Sequence, residues 1–428
     1  MKEKFKLTAL EKGWILYDVG NSAYILMVTT LIPIFFNALA SAAGVHEDLY
    51  LSYWGYAGSI ATILVAIIGP VCGAIADRNN KRMIFVISML VGVVACVLLG
   101  VVSGWIAFLA MFILSRVGFS ASIIFYDSML PEITTEARMD KISSMGYAYG
   151  YIGSVIPFIV CLVLVLMHAS FGLTQNIAMS IAFLIVAVWW VGCTLPLLKH
   201  YKQTAYREST GTPVRDAFRQ LYGTLKAARQ EKHIFLYLLS FFFFIDGVYT
   251  IIDMATAYGT ALGLDATGLL LALLWTQIVA FPFAIVFGRL SARYDTGLLI
   301  KVCIICYTCI TVFGIFLMSQ WQFWVLATLV GMFQGGIQAL SRSYLGKIIP
   351  AERSGEFYGL MDIFGKGASF MGLTLVSLVS QLFAGVTVNV FGMPLQNENL
   401  AVGSLILLFV IGYILFCKAD KLNKQRVA

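Results

Sequence analysis

Six ionisable side chains lie inside stretches that are otherwise apolar: Asp18, Arg116, Asp246, Asp253, Asp362 and Lys366. Asp246 and Asp253 are seven residues apart, which at 100° per residue returns to within about 20° on a helix, so both carboxylates point to one side. Such a pair can carry a proton, although Asp253, nearer the outer end, can equally be a hydrated group. Asp18 and Asn21 share a face three residues apart and fit either a bound ammonium group or a helix-to-helix hydrogen bond. Asp362 and Lys366 stand at i and i+4, where they can neutralise each other within one turn. Gly359, Gly365 and Gly367 strip side chains from the same stretch and permit close approach or bending. Arg116 offers donors to a carboxylate, or one half of a structural ion pair. Gln277, Gln334 and Gln338 add neutral hydrogen-bonding groups that could meet a solute or bridge helices.

Other chemistry is poorly served. The histidines, His46, His168, His200 and His233, all fall outside the middle of the apolar stretches, which disfavours a histidine metal site or a nucleophile triad. Cys303, Cys306 and Cys309 have cluster-like spacing but no fourth ligand nearby. Gly359 to Gly365-Lys366-Gly367 fails as a phosphate loop, with five residues between the glycines instead of four and no Ser or Thr after the lysine. A membrane enzyme is disfavoured, and no metal, cofactor or nucleotide is expected.

The elements that must position the buried charges are membrane helices. The chain of 428 residues is 60% hydrophobic and 12% charged, with mean hydropathy +0.87, whereas a soluble domain carries about 25% charged residues. A bilayer core about 30 Å thick takes about 20 apolar residues per helix. Twelve such stretches start near Trp14, Leu49, Met83, Trp105, Ser144, Thr174, Ile234, Ala266, Leu298, Trp321, Gly355 and Leu400. A charge at mid-membrane costs about 2.5–3.5 kcal/mol, so the six together would cost about 15–20 kcal/mol facing lipid. They must face the protein interior.

Basic residues alternate with loop parity. Arg78, Lys81 and Arg82 occupy one loop, Arg138 and Lys141 the next, then come a run between Lys199 and Lys232, Arg289 with Arg293, and Arg342, Lys347 and Arg353; the loops between, such as Ser41 to Asp48 and Gly385 to Asn399, hold neither Lys nor Arg. This asymmetry predicts a cell-membrane protein with both termini cytoplasmic, and it accounts for the net charge of +7 without nucleic acid. In the central loop, Val214, Ala217, Leu221, Leu225 and Ala228 recur at helical spacing opposite Arg215, Arg219, Lys226 and Arg229, as in an amphipathic helix lying on the inner membrane surface. A partly ordered linker fits as well.

The chain also repeats. Gly73-Ala-Ile-Ala-Asp77-Arg78 matches Gly288-Arg-Leu-Ser-Ala292-Arg293 at an offset of 215, and Trp105 matches Trp321 at 216. Two parallel six-helix halves follow, 1–198 and 234–428, joined by a loop over 199–233.

With these residues in view, the chain resembles the major facilitator superfamily. Gly73-Ala-Ile-Ala-Asp77-Arg78-Asn-Asn-Lys81-Arg82 is similar to its gating-loop signature, with Asn80 where Gly is usual and Ala292 replacing the Asp in the second copy. Trp14-Ile-Leu-Tyr17-Asp18-Val-Gly-Asn21-Ser22-Ala23-Tyr24 resembles the opening of the vacuole-effluxer-like branch, related to autophagy-linked amino-acid permeases, with Gly20 for a more usual Ala. Phe244-Ile-Asp246-Gly247-Val248, Gly336-Ile-Gln338-Ala-Leu-Ser341-Arg342-Ser343 and Glu356 to Lys366 are similar to further segments of that branch. The resemblance implies the all-helical two-bundle fold, a gate in which Gly73 packs two helices while Asp77 and Arg78 pair, and efflux of amino acids or similar solutes.

The expectation is therefore a secondary transporter that alternates access to a small polar solute, working as a monomer with a coupling proton among membrane lipids. An exporter of a drug, sugar or lipid, or a non-transporting receptor or scaffold, remains open.

Overall fold

In the computed structural model, the structure describes residues 5–46, 49–78, 80–206, 231–383, 387–390, 393–395 and 397–427. The expected amphipathic helix of the central loop lies outside the described residues, as does the side chain of Lys366.

The first apolar stretch forms α1 (Ala9–Thr29) and α2 (Leu31–Ala42), broken at Thr30. Pro33 explains the break, because it lacks the N–H that would reach back to Thr29. The start of α1 is closed by a capping box, in which Thr8 Oγ1 accepts the Glu11 N–H and Glu11 accepts the Thr8 N–H. There follow α3 (Tyr50–Ala76), α4 (Lys81–Leu99), α5 (Trp105–Ser128), the short α6 (Leu130–Ile133), α7 (Glu136–Leu166) and α8 (Gln175–His200). After the central loop come α9 (Lys232–Ala261), α10 (Ala266–Leu290), α11 (Thr296–Ile315), α12 (Gln320–Ile348), α13 (Ser354–Leu382), α14 (Asn397–Gly403) and α15 (Leu405–Val427).

Among the described residues, eleven helical segments are long and apolar enough to cross a bilayer, and α13 contributes a shorter apolar stretch, Met371–Leu382. The protein is a multi-pass, essentially all-helical membrane protein. The strands among the described residues form one antiparallel hairpin, β1 (Val388–Val390) with β2 (Met393–Leu395), paired Val388 to Leu395.

Two compact units result: Met1–Thr135 with Tyr149–Leu221 and Pro350–Gly359, and Glu136–Ala148 with Tyr222–Ile349 and Leu360–Ala428. The repeat reappears as packing. In the first unit α1 lies on α8, α4 on α5 and α3 on α5; in the second α9 lies on α15, α11 on α12 and α10 on α12. Small residues permit these approaches: a Cβ on Gly13 would meet the backbone of Leu197, and one on Gly20 the Cβ of Cys193. Gly150 and Gly153 likewise admit Ser22 and Val19 of α1 against α7.

Candidate functional site

The opening motif is largely core. Trp14 donates its indole N–H to the Tyr126 carbonyl at 3.0 Å and stacks on that ring, Tyr17 hydrogen-bonds Ser122 at 2.7 Å, and Tyr24 stacks on Trp190. Asp18 and Asn21 are buried beside them; Asn21 donates to the Tyr17 carbonyl at 2.9 Å and more weakly to Asp18 at 3.5 Å.

The structure separates the remaining candidates by environment. Asp246, on α9, has no solvent exposure; its Oδ1 accepts the backbone N–H of Gly372 at 3.0 Å and the Thr250 hydroxyl at 3.3 Å, while Oδ2 is buried without a hydrogen-bond partner. Asp253, on the same helix, is exposed. Arg116, near the middle of α5, stands 5.7 Å from the Phe119 ring with Nη1 buried and without a partner. Gln334, on α12, is buried with Oε1 unbonded. Gln277, Gln338 and Asp362 are half-buried. An unmet buried donor or acceptor costs about 1–3 kcal/mol, and among these candidates Arg116, Asp246 and Gln334 each carry one.

Gly372 was not singled out by the sequence, yet it makes the Asp246 contact possible. A Cβ there would fall 2.6 Å from Asp246 Oδ1 and collide with Thr250 Oγ1. The local signal was weak, since one glycine among several on α13 has no pattern of its own.

The loop signature builds a second constellation at the end carrying the basic loops. Asp77 is 1% exposed and accepts two N–H groups from the first turn of α13, Gly355 at 2.9 Å and Glu356 at 3.0 Å. A carboxylate at a helix N-terminus is favoured by the helix dipole. Gly73 lets the backbones meet, because its Cβ would fall 2.5 Å from the Gly355 carbonyl oxygen. Lys81 is fully buried and donates to Glu132 at 2.5 Å, Ser354 Oγ at 2.9 Å and the Ser128 carbonyl at 3.3 Å, with Asp77 farther away at 3.8 Å. Burial pushes the Asp77 carboxyl up to about 7; Lys81 and the two N–H groups oppose this only in part, because the ammonium leans toward Glu132. Arg78 is half-buried and Arg82 exposed.

Sequence reasoning missed Glu132, although the repeat could have led from it to its counterpart. Adding 215 to Gly73, Asp77, Lys81, Ser128 and Glu132 gives Gly288, Ala292, Thr296, Ser343 and Lys347. In the second unit Asp140, on α7, supplies the carboxylate that position 292 lacks. It accepts from Thr296 at 2.6 Å, Ser343 at 2.6 Å and Lys347 at 2.6 Å. Gly288 repeats the role of Gly73, its Cβ position lying 2.8 Å from the Ser144 side chain. Arg342, read from the sequence as a loop charge, is 3% exposed and donates to the Ser143 hydroxyl and carbonyl.

Comparison with known proteins agrees with this architecture. Residues 9–424 match the family described as "Vacuole effluxer Atg22 like". The chain is 38% identical over 416 residues to an uncharacterized MFS-type transporter, YxiO, of Bacillus subtilis, covering 96% of this chain and 94% of that one. It is 25% identical over 289 residues to autophagy-related protein 22 of Coccidioides immitis, covering 59% of this chain and 46% of the relative, so it spans under half of that protein. Among solved structures, the human organic anion transporter MFSD10 (TETRAN) aligns with TM-score 0.71 at 13% identity over 95% of this chain and 99% of that one. A bacterial homologue of the iron transporter ferroportin, outward-facing with soaked iron, aligns with TM-score 0.69 at 15% identity over 96% and 98%. At such identities the structural likeness speaks for the fold.

Proposed function

Since this chain belongs to the vacuole effluxer Atg22-like family and is an MFS-type transporter, we propose that it exports a small zwitterionic solute, an amino acid, across the cell membrane in exchange for protons. The observation that supports this reading is made in each unit by itself: in the first, a buried guanidinium nitrogen of Arg116 without a hydrogen-bond partner, suited to a carboxylate, and in the second the unbonded Oδ2 of Asp246, suited to an ammonium group or a proton. A sugar site would be built mainly from neutral amides and aromatics. A lipophilic-cation pump would favour acids without a matching base. The alternation of basic loops supports cytoplasmic termini, so reagents applied outside should label cysteines placed at Ser41 or Gly385 and spare one at Lys202.

The test is counterflow in proteoliposomes loaded with neutral amino acids, beside amine-only and carboxylate-only analogues of each. Exchange of the parent compounds alone is the expected result. Equal exchange of the analogues, or exchange of only a sugar or lipid, would end the zwitterion reading.

A further inference from the structure

The chain leaves α8 at Tyr201 and runs without regular structure to residue 206. This segment is bound tightly to the loop signature. Glu132 accepts the Thr204 N–H at 2.8 Å and the Ala205 N–H at 3.2 Å on Oε2, while its Oε1 takes the Tyr201 hydroxyl at 3.3 Å and Lys81. Gln203 spans the turn between α3 and α4: its Oε1 accepts the Lys81 N–H at 2.9 Å, and its Nε2 donates to the Ala76 carbonyl at 3.0 Å and the Ala205 carbonyl at 3.1 Å. One side chain thus ties the last turn of α3 to the first N–H of α4, on either side of Asp77. Tyr201 is 1% exposed, and its phenol is raised well above the usual range by burial and by the neighbouring Glu132 carboxylate.

Two sets of bonds therefore share Glu132. One oxygen orients the ammonium of Lys81, which reaches Ser354 at the start of α13; the other holds the backbone of 204–205. Detaching the segment would leave Glu132 with one strong partner and free it to turn, and would remove the clamp that Gln203 places across the Asp77 turn. We propose that Tyr201–Ala205 is a strap that sets the strength of the latch between Asp77, Lys81 and the start of α13, with Gln203 and Glu132 as its positioning residues. The opening stretch of the central loop is then a control element: whatever pulls on it loosens the latch.

Hydrogen exchange of the full-length protein in nanodiscs reads both sides, since the amides of Thr204 and Ala205 report the strap and those of Gly355 and Glu356 the latch. Gln203→Ala should speed exchange at Gly355 and Glu356 roughly tenfold, the scale of one or two lost neutral hydrogen bonds, and leave amides in the middle of α5 unchanged. In a Lys81→Met background, where the latch is already broken, Gln203→Ala should add nothing at those two amides. Ala205→Pro, which removes one N–H donor to Glu132, should repeat the effect and serves if Gln203→Ala does not fold. Faster exchange at 204–205 with unchanged exchange at 355–356, or additive effects of Gln203→Ala and Lys81→Met, would show that the segment merely finishes α8, and the proposal would be wrong.

Discussion

Gly372 donates its backbone N–H to Asp246 at 3.0 Å, so the buried carboxylate of α9 is fastened to the main chain of α13 and keeps one oxygen unbonded. A carboxylate held this way can gain a proton on the free oxygen without breaking the bond that positions it. The bond thus fixes where the carboxylate stands against α13 whether or not Oδ2 carries a proton.

Asp246→Asn tests the proposed proton role. The amide imitates the protonated acid in shape and cannot cycle, so transport driven by a pH gradient should disappear while solute exchange stays measurable. Uptake at the normal rate under a pH gradient would refute the role.

Gly372→Ala should fail for a steric reason. The added methyl group meets Asp246 Oδ1 and Thr250 Oγ1, and overpacking of this kind costs about 1–3 kcal/mol. A lowered Tm in detergent, together with lost transport, is expected. An alanine variant with unchanged Tm would show that α9 and α13 do not approach as closely as described.

Acidity should tighten the latch at Asp77. Its carboxyl has a pKa of about 7 when buried against Gly355 and Glu356, compared with an ordinary 3.8, so the latched form binds the proton more strongly. The resulting stabilisation is fully present below about 3.8 and is lost as the pH rises through about 7. Exchange at Gly355 and Glu356, corrected for its intrinsic pH dependence, should be slower at pH 5 than at pH 8. Asp77→Asn should flatten that dependence; the same slope in the variant would assign it to another group.

The rebuilt cluster of the second unit predicts a pattern of non-additivity. Asp140→Asn alone leaves the half-buried Lys347, and Lys347→Met alone the buried Asp140, without its charged partner; each should cost about 1–3 kcal/mol, while the double variant should cost less than the sum. Thermal unfolding of the three variants decides this. Strict additivity would mean that the pair contributes no coupling.

Composition and pattern were sufficient for much of this protein, because lipid imposes a simple rule. Apolar stretches of about 20 residues separated by charged loops call for membrane helices, and the offset of 215 between Gly73 and Gly288 goes with matching pairs of packed helices in the two units. Asp246 and Arg116 were legible for the same reason: a charge among apolar residues is visible in one dimension.

The sequence alone did not determine which groups meet. Glu132, Asp140 and Lys347 sit near helix ends, where charges are ordinary, and nothing local separates a hydrated residue from one buried in a latch. Lys81 and Arg342 looked like markers of orientation and proved to be nearly or fully buried partners. Gly372 acquired its meaning from a side chain 126 positions away. Tertiary structure decided these pairings because a hydrogen bond depends on separations of about 3 Å between helices remote in sequence, whereas burial in a membrane depends on the average character of about 20 consecutive residues.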